Sequence, residues 1–408
     1  MVNVLRKMMK DTKKVFIAYL ACSRRNMEIN YGEYFSDNGF VLTNSPALAD
    51  YIFIISCGFN EDSTNRCLKH IENLKKIKKQ NSKMVLFGCL PKINKDVIKD
   101  KDIVTIDNLD EVDSIFFSKK KIRNVGPKNF CNETRIPIYN SNFFRYNFSV
   151  IVHPKIDSFR LKIWGINLKD YWYVSPNRGC LENCTYCAIK RILGDHQSKT
   201  IEEVIREFRM GINHGYNRFY MDSDNIADFG ADNKETLIDL LYSINELNGK
   251  FIIKIQHIHP RWIIENINEF ERIIKKKRIY AVGVPVQSGS NRILKKMGRG
   301  YCSSEIKDCI LRLNSRFPFL EIHPQFMVGF PSESEDDFGD TVKFLDGMKI
   351  SPRYPTGVME YSDMPNTPSS GYLEKVPKAV KRRRHKILDK KMRYNKLNMI
   401  YHYFRYKW

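Results

Sequence analysis

From residue 172 to residue 361 the chain repeats one pattern, a short apolar run followed by a longer stretch with apolar residues three and four places apart. Strand candidates lie at Trp172 to Ser175, Arg218 to Asp222, Phe251 to Gln256, Ile279 to Pro285, Leu320 to Val328 and Gly357 to Tyr361. Helical patterns separate most of them, at Ile201 to Asn213, Lys234 to Leu247, Ser303 to Asn314 and Glu333 to Gly347. Strands that alternate with helices pair in parallel, and about six such units predict an open relative of the eightfold barrel, a (β/α)6 partial barrel. A shorter series precedes it. Val15 to Leu20, Tyr51 to Ser56 and Met84 to Phe87 read as strands, and Glu28 to Asn38, closed by Gly39, and Asn60 to Gln80 read as helices. That series predicts a doubly wound parallel sheet, so the fold class is α/β throughout.

With 408 residues and 42% apolar content, the chain exceeds what one hydrophobic core fills. The expected division is an α/β domain over 13–115, a connector over 116–165 rich in Asn, Lys and aromatics, the partial barrel over 166–373 and a basic segment over 374–408. The net charge of +22 favours polyanions or acidic surfaces without bearing on fold. Half of it sits in the last segment, which has 13 Lys or Arg against 2 Asp or Glu. That segment reads either as a solvated basic helix face or as a docking surface for an acidic partner. No apolar run reaches the ~18 residues of a membrane span. Lys13, Lys14 and the run Val15 to Ala21 before Cys22 have the outline of a lipoprotein signal, but Tyr19 is too bulky for its cleavage site. A buried first strand is the better reading.

Ten cysteines are too few and too unevenly placed for a disulfide scaffold, and three of them, Cys180, Cys184 and Cys187, fall within eight residues directly after a predicted strand. Iron–sulfur cubanes take thiolate ligands, and three thiolates for four irons leave one iron open to another ligand. Structural zinc is the alternative, but it takes four ligands in paired spacings, and His196 is a distant fourth. Such thiols imply a reducing compartment, the cytoplasm. Cys22, Cys57 and Cys89 each follow a predicted strand of the first sheet. Ligands gather outside the carboxyl ends of open parallel sheets, so these three thiols are expected to converge. Cys131 is structural or incidental, while Cys67, Cys302 and Cys309 fall in helical patterns and read as core.

The run Cys180-Leu-Glu-Asn-Cys184-Thr-Tyr-Cys187 resembles the signature of the radical S-adenosylmethionine (SAM) superfamily. Its surroundings resemble the methylthiotransferase family. Val284 to Tyr301 (VPVQSGSNRILKKMGRGY) is similar to a PVQSGS…L..M.RGY block, Val328 to Glu335 to VGFPGETE, and Tyr361-Ser362 with Thr367-Pro368 to a YS…TP segment. The neighbourhoods of Cys57 and Cys89 look most like members that modify a ribosomal protein rather than transfer RNA. The resemblance covers about residues 13 to 390.

It implies two [4Fe-4S] clusters and SAM, with the hard chemistry borne by these cofactors and no protein residue named as catalytic. The cluster on Cys180, Cys184 and Cys187 would donate an electron to SAM, and the resulting 5′-deoxyadenosyl radical would take hydrogen from an unactivated C–H bond. The cluster on Cys22, Cys57 and Cys89 would carry the sulfur that a second SAM methylates. Asp224, Asn225 and Gln287 would face SAM, Ser198 and Lys199 would hold its carboxylate, and Tyr186 would meet the adenine through its backbone while its ring packs inward. Each has a bland counterpart: Asx residues form turns after strands, and Ser198 reads equally as a helix N-cap. His257 and His259 read as satisfied barrel residues. The implied partners are a polypeptide substrate, with transfer RNA as the alternative, and an electron donor such as flavodoxin or ferredoxin; no membrane is involved.

The departures matter too. Asn26 follows Cys22 by four places rather than three, Arg218 stands where an acidic residue is usual, Lys190 and Leu193 replace Pro and Arg, and Ser332 replaces Gly. The family's small carboxyl-terminal β-barrel of the TRAM type has no room after residue 390. Two rivals stand beside this reading: a two-cluster radical SAM enzyme of other bond-forming chemistry, and a metal-stabilised RNA-binding scaffold. The second draws on Tyr401, Tyr403, Phe404 and Trp408 interleaved with basic residues.

Overall fold

The structure is a computed structural model that describes residues 13–20, 29–98, 100, 102–106, 108–125, 171–350 and 357–405. It divides into two compact units, Met1–Val150 and Ile151–Trp408.

The first unit is built on five parallel strands, β1 (Lys14–Leu20), β2 (Val41–Leu42), β3 (Tyr51–Ser56), β4 (Lys83–Gly88) and β5 (Ile103–Thr105), in the order β2-β1-β3-β4-β5. The central strand β3, Tyr-Ile-Phe-Ile-Ile-Ser, is apolar on both faces because both are covered. On one face Tyr31, Tyr34 and Phe35 of helix α1 (Tyr31–Asp37) pack on Phe53 and Ile55; on the other, Ile71 and Leu74 of α2 (Glu61–Ile77) pack on Ile52 and Ile54. Asn30 and Asn60 cap α1 and α2. Short helix α3 (Cys89–Ile93) follows β4, and α4 (Leu109–Ile115) opens with a capping box between Asn108 and Glu111. The core continues past α4 through Phe116, Ile122 and Val125, all buried. Phe35 and Phe116 meet edge to face with centroids 4.8 Å apart.

The second unit has six parallel strands, β6 (Trp172–Val174), β9 (Arg218–Met221), β10 (Ile252–Ile255), β11 (Ile279–Gln287), β12 (Glu321–Val328) and β13 (Gly357–Glu360), each hydrogen-bonded to its neighbour in sequence. A two-residue antiparallel pair, β7 (Asn177–Arg178) and β8 (Gln197–Ser198), flanks the first strand. Helices α5 (Lys190–Leu193), α6 (Ile201–Asn213), α7 (Leu237–Asn245), α8 (Pro260–Glu265), α9 (Ile267–Ile274), α10 (Asn291–Met297), α11 (Ser303–Arg316) and α12 (Glu335–Phe344) lie between strands, and α13 (Lys378–Arg405) closes the unit.

Alternation sorts the strand residues into two sets. Trp172, Phe219, Ile253, Val282 and Ile322 join the apolar core under the helices, with Phe208 of α6 stacked on Phe219 at 4.5 Å. The register instead aligns Tyr173, Tyr220, Lys254, Ala281 and Glu321 across five strands on the opposite face. Burial holds the Lys254 ammonium down to a pKa of about 8, with Asp222 and Glu321 opposing that shift. Helix α13 packs through Arg384, Leu388, Met392 and Asn395, a spacing of three and four, while Lys378, Arg382, Lys386 and Lys390 face outward. The basic segment is thus a packed helix whose outward face carries these Lys and Arg residues.

Candidate functional site

In the first unit Leu20, Ser56 and Gly88 stand in one register row at the carboxyl ends of β1, β3 and β4. Cys57 and Cys89 are the next residues along their strands and both are buried. Cys22, like Asn26, lies outside the described residues. Gly88 has φ of +112°, and a Cβ there would sit 2.4 Å from Ser56 O. Only glycine brings the start of α3 this close to the end of β3. Gly88→Ala is expected to cost about 1–3 kcal/mol through strained backbone and to displace Cys89; a urea midpoint equal to the parent's would refute this. Cys67, expected as helix core, is buried in α2 and also faces this place. Its Sγ accepts from Cys57 N (3.3 Å) and donates to Leu20 O (3.2 Å), and burial raises its pKa to about 11.

In the second unit the loop carrying Cys180, Cys184 and Cys187 lies between β7 and α5 at the carboxyl face of the sheet, with all three residues partly exposed. Its backbone is tied from several elements. Asp224 Oδ2 accepts from Gly179 N at 3.0 Å and Asp228 Oδ2 from Leu181 N at 2.8 Å. Lys190 Nζ donates to Leu181 O, Glu182 O and Asn183 Oδ1 at 3.2, 3.1 and 2.6 Å. Glu182 pairs with Arg261 at 2.5 Å. Thr185 N donates to Met297 O at 3.0 Å and Thr185 Oγ1 to Lys296 O at 2.9 Å. The turn after α10 therefore docks on the loop, and Gly298 there has φ of +72°, with room for a Cβ only 3.0 Å from Asn183 O.

Burial pushes the Cys180 and Cys187 thiols up, with Asp228 adding to the effect at Cys180. Among the described residues no three His, Cys, Asp or Glu side chains already converge at metal-holding distance. The fit to a cluster rests on the donor chemistry: three thiols on one pinned loop, and Arg299 Nη1 donating to Cys184 Sγ at 3.2 Å. Arg299, quoted in the sequence only as part of a motif, is 4% exposed.

The six residues expected at SAM fall into three groups. Asn225 and Gln287 are buried with Asn225 Nδ2 and Gln287 Oε1 unpartnered, and Ser223 Oγ, two residues before Asn225, and Gln256 Oε1, just past β10, are also unpartnered. Gln287 ends β11 with φ of +71°, and His257, just past β10, has φ of +60° with Nδ1 2.9 Å from Asp222 Oδ1. Non-glycine residues hold this conformation at a cost and collect at functional sites. Asp224, Ser198 and Lys199 are engaged: Asp224 with the cysteine loop, Ser198 Oγ with Gly230 N at 2.9 Å, and Lys199 Nζ with Glu207 at 2.5 Å. Thr200, not Ser198, caps α6. The Tyr186 ring packs edge to face on Phe330, 6.5 Å between centroids. His196 Nδ1 lies 3.9 Å from Asp232, and His259 caps α8.

The second unit is thus a sequentially ordered parallel sheet with a three-cysteine loop at its carboxyl face and unpartnered polar atoms near its strand ends. Residues 174–345 match the family model described as the Radical SAM superfamily. Residues 14–107, which hold the amino-terminal sheet, match that of the uncharacterized protein family UPF0004. The relatives divide between two methylthiotransferase branches. A human threonylcarbamoyladenosine tRNA methylthiotransferase is 27% identical over 390 residues, 93% of this chain and 62% of that one. The ribosomal protein uS12 methylthiotransferase RimO of Thermotoga sp. (strain RQ2) is 29% identical over 353 residues, 83% of this chain and 74% of that one. The chain thus spans less than two thirds of the human relative. In fold it resembles a radical SAM methyltransferase, TsrM, from Kitasatospora setae, with a TM-score of 0.55 at 11% identity over 88% of this chain and 77% of that one. No described helix is long and apolar enough to cross a membrane.

Proposed function

We propose that the protein is a radical SAM methylthiotransferase that places a methylthio group on an unactivated C–H carbon of a polypeptide. The observation that carries this is the pinned loop of Cys180, Cys184 and Cys187 beside the unpartnered amide atoms of Asn225 and Gln287. Cys180, Cys184 and Cys187 would hold one [4Fe-4S] cluster, and Cys57 and Cys89, with Cys22, a second. When bound, the first cluster would supply the electron for reductive SAM cleavage, received from a flavodoxin- or ferredoxin-type donor, and the second would supply the sulfur.

The chain's own residues bind and orient. Asp224, Asp228, Lys190 and Thr185 hold the loop's backbone, so its thiols need only turn toward a metal. Asn225 Nδ2 can donate to a SAM carboxylate or ribose oxygen, and Gln287 Oε1 can accept from an ammonium or hydroxyl. Tyr186, with its ring fixed on Phe330, offers its backbone to the adenine. Ser198 and Lys199 reach SAM only by leaving Gly230 and Glu207.

The polypeptide assignment rests on the Cys57 and Cys89 neighbourhoods. Transfer RNA is the second reading, favoured by the outward row Lys378, Arg382, Lys386 and Lys390 on α13, whose one-turn spacing suits a phosphate backbone. Iron and sulfide counting under anaerobic conditions, followed by mass spectrometry of protein and RNA incubated with SAM and reductant, tests the proposal. About eight irons per chain and a methylthio mark on a peptide are the expected result. A mark on a transfer RNA nucleoside overturns the substrate, and a chain that assembles no cluster overturns the enzyme in favour of a scaffold.

A further inference from the structure

We propose that Arg299 is a positioning residue that sets the reduction potential of the barrel cluster, because its buried guanidinium donates directly to the sulfur of Cys184 and is held there by carbonyls of the β11 end. This role rests on the proposed cluster at Cys180, Cys184 and Cys187.

The arginine has little freedom. Nη1 lies 3.2 Å from Cys184 Sγ, and Nη2 donates to Pro285 O at 2.8 Å. Nε lies 3.5 Å from Tyr301 Oη, and that hydroxyl in turn donates to Val286 O at 2.6 Å. The guanidinium sits 5.6 Å from the Tyr301 ring centroid. The turn that carries it is fixed to the cysteine loop through Thr185 and the carbonyls of Lys296 and Met297. Cys184 and Arg299 thus move as one piece.

A guanidinium 4% exposed needs a counter-charge, because an unpaired buried cation is costly. Among the described residues no carboxylate lies within ion-pair distance of Arg299, and its polar contacts are two neutral oxygens and one sulfur. That sulfur becomes a thiolate when it binds iron, and it gains negative charge when the cluster is reduced. A fixed cation therefore stabilises the reduced cluster more than the oxidised one and raises its potential, as hydrogen bonds to cluster sulfurs do generally. Pro285 and Val286, whose carbonyls hold Arg299 and Tyr301, directly precede Gln287 on β11. The strand that presents an amide toward SAM thus also anchors the cation on the cluster.

The test uses the full chain, reconstituted anaerobically with iron and sulfide, and its reporter is the reduced-cluster EPR signal that changes on adding SAM. Arg299→Gln removes the charge, and Arg299→Lys restores a charge without the planar fork. At a fixed poise, Arg299→Gln is expected to hold parental iron but to show at least a tenfold lower ratio of reduced to oxidised barrel cluster. For a one-electron couple that is a downward shift of about 59 mV. Arg299→Lys should recover part of it. A parental midpoint in Arg299→Gln, or a midpoint in Arg299→Lys no higher than in Arg299→Gln, overturns the role. Loss of the cluster in both variants overturns it in favour of a purely structural arginine. If the parent chain itself holds no iron at Cys180, Cys184 and Cys187, the cluster assignment falls first.

Discussion

Replacing Cys180, Cys184 and Cys187 together with Ala should abolish 5′-deoxyadenosine formation from SAM while leaving about half the iron bound, since a three-thiolate cubane loses all its protein ligands at once. The loop itself should survive. Its ties run through Gly179 N, Leu181 N and Thr185, none of which depends on a thiol. A folded chain with lost cleavage would therefore separate chemistry from folding, with some lowering of the unfolding midpoint expected because Arg299 loses the Cys184 sulfur. Cleavage at the parental rate would remove the barrel loop from the mechanism.

The largest stability effect is expected at Glu333. Its side chain is fully buried, Oε2 accepts from Gly329 N at 2.6 Å and from Arg384 Nη1 at 2.7 Å, and Arg384 side-chain exposure is 4%. Burial raises the Glu333 carboxyl despite that partner. Glu333→Ala leaves Arg384 buried with only Glu335, itself exposed, to balance it. Losing one partner of a buried pair costs about 3–5 kcal/mol, whereas replacing both by apolar residues of similar volume is often nearly neutral. Glu333→Leu with Arg384→Met should accordingly recover most of the loss. Urea unfolding of the single and double variants measures it, and a single variant within about 0.5 kcal/mol of the parent would show that the pair carries no stability.

Long, apolar, uninterrupted strands were the most legible elements. Tyr51 to Ser56 is a strand over the residues its composition marks, and Ile201 to Asn213 is a helix from its cap to its end. Helices α8 and α9 escaped because each is under the ten or so residues that a 3.6-residue period needs to show itself, and His259-Pro260 and Asn266 read as turn residues. β7 and β8, two residues each, carry no period at all.

At the site, cysteine spacing was readable because thiol chemistry is rare and local. The engagement of Lys199 by Glu207, eight residues on and nearly two turns into a helix, was not, nor was the position of Cys67 against Leu20 and Cys57. Arg299 lay in plain view between two glycines. Its meaning depends on a contact 115 residues away. Ser332 shows the reverse case, where a departure has a visible cost: it has φ of +68°, the conformation in which glycine is usual, and its hydroxyl is held by Lys296 at 2.6 Å.

The second sheet adds each strand beside the one made just before it, so a nascent chain can lay down β6 to β13 without waiting for a later segment to insert between them. The exception is the carboxylate of Glu333, whose cation arrives 51 residues later on α13. Until that helix is synthesised, the barrel carries a buried charge without its partner and remains less stable than it is with α13 in place. Closure of the sheet is thereby coupled to the arrival of α13 through one ion pair, so a ribosome-bound intermediate halted before Arg384 should be open to proteolysis around Gly329 to Glu335, and one that includes α13 closed.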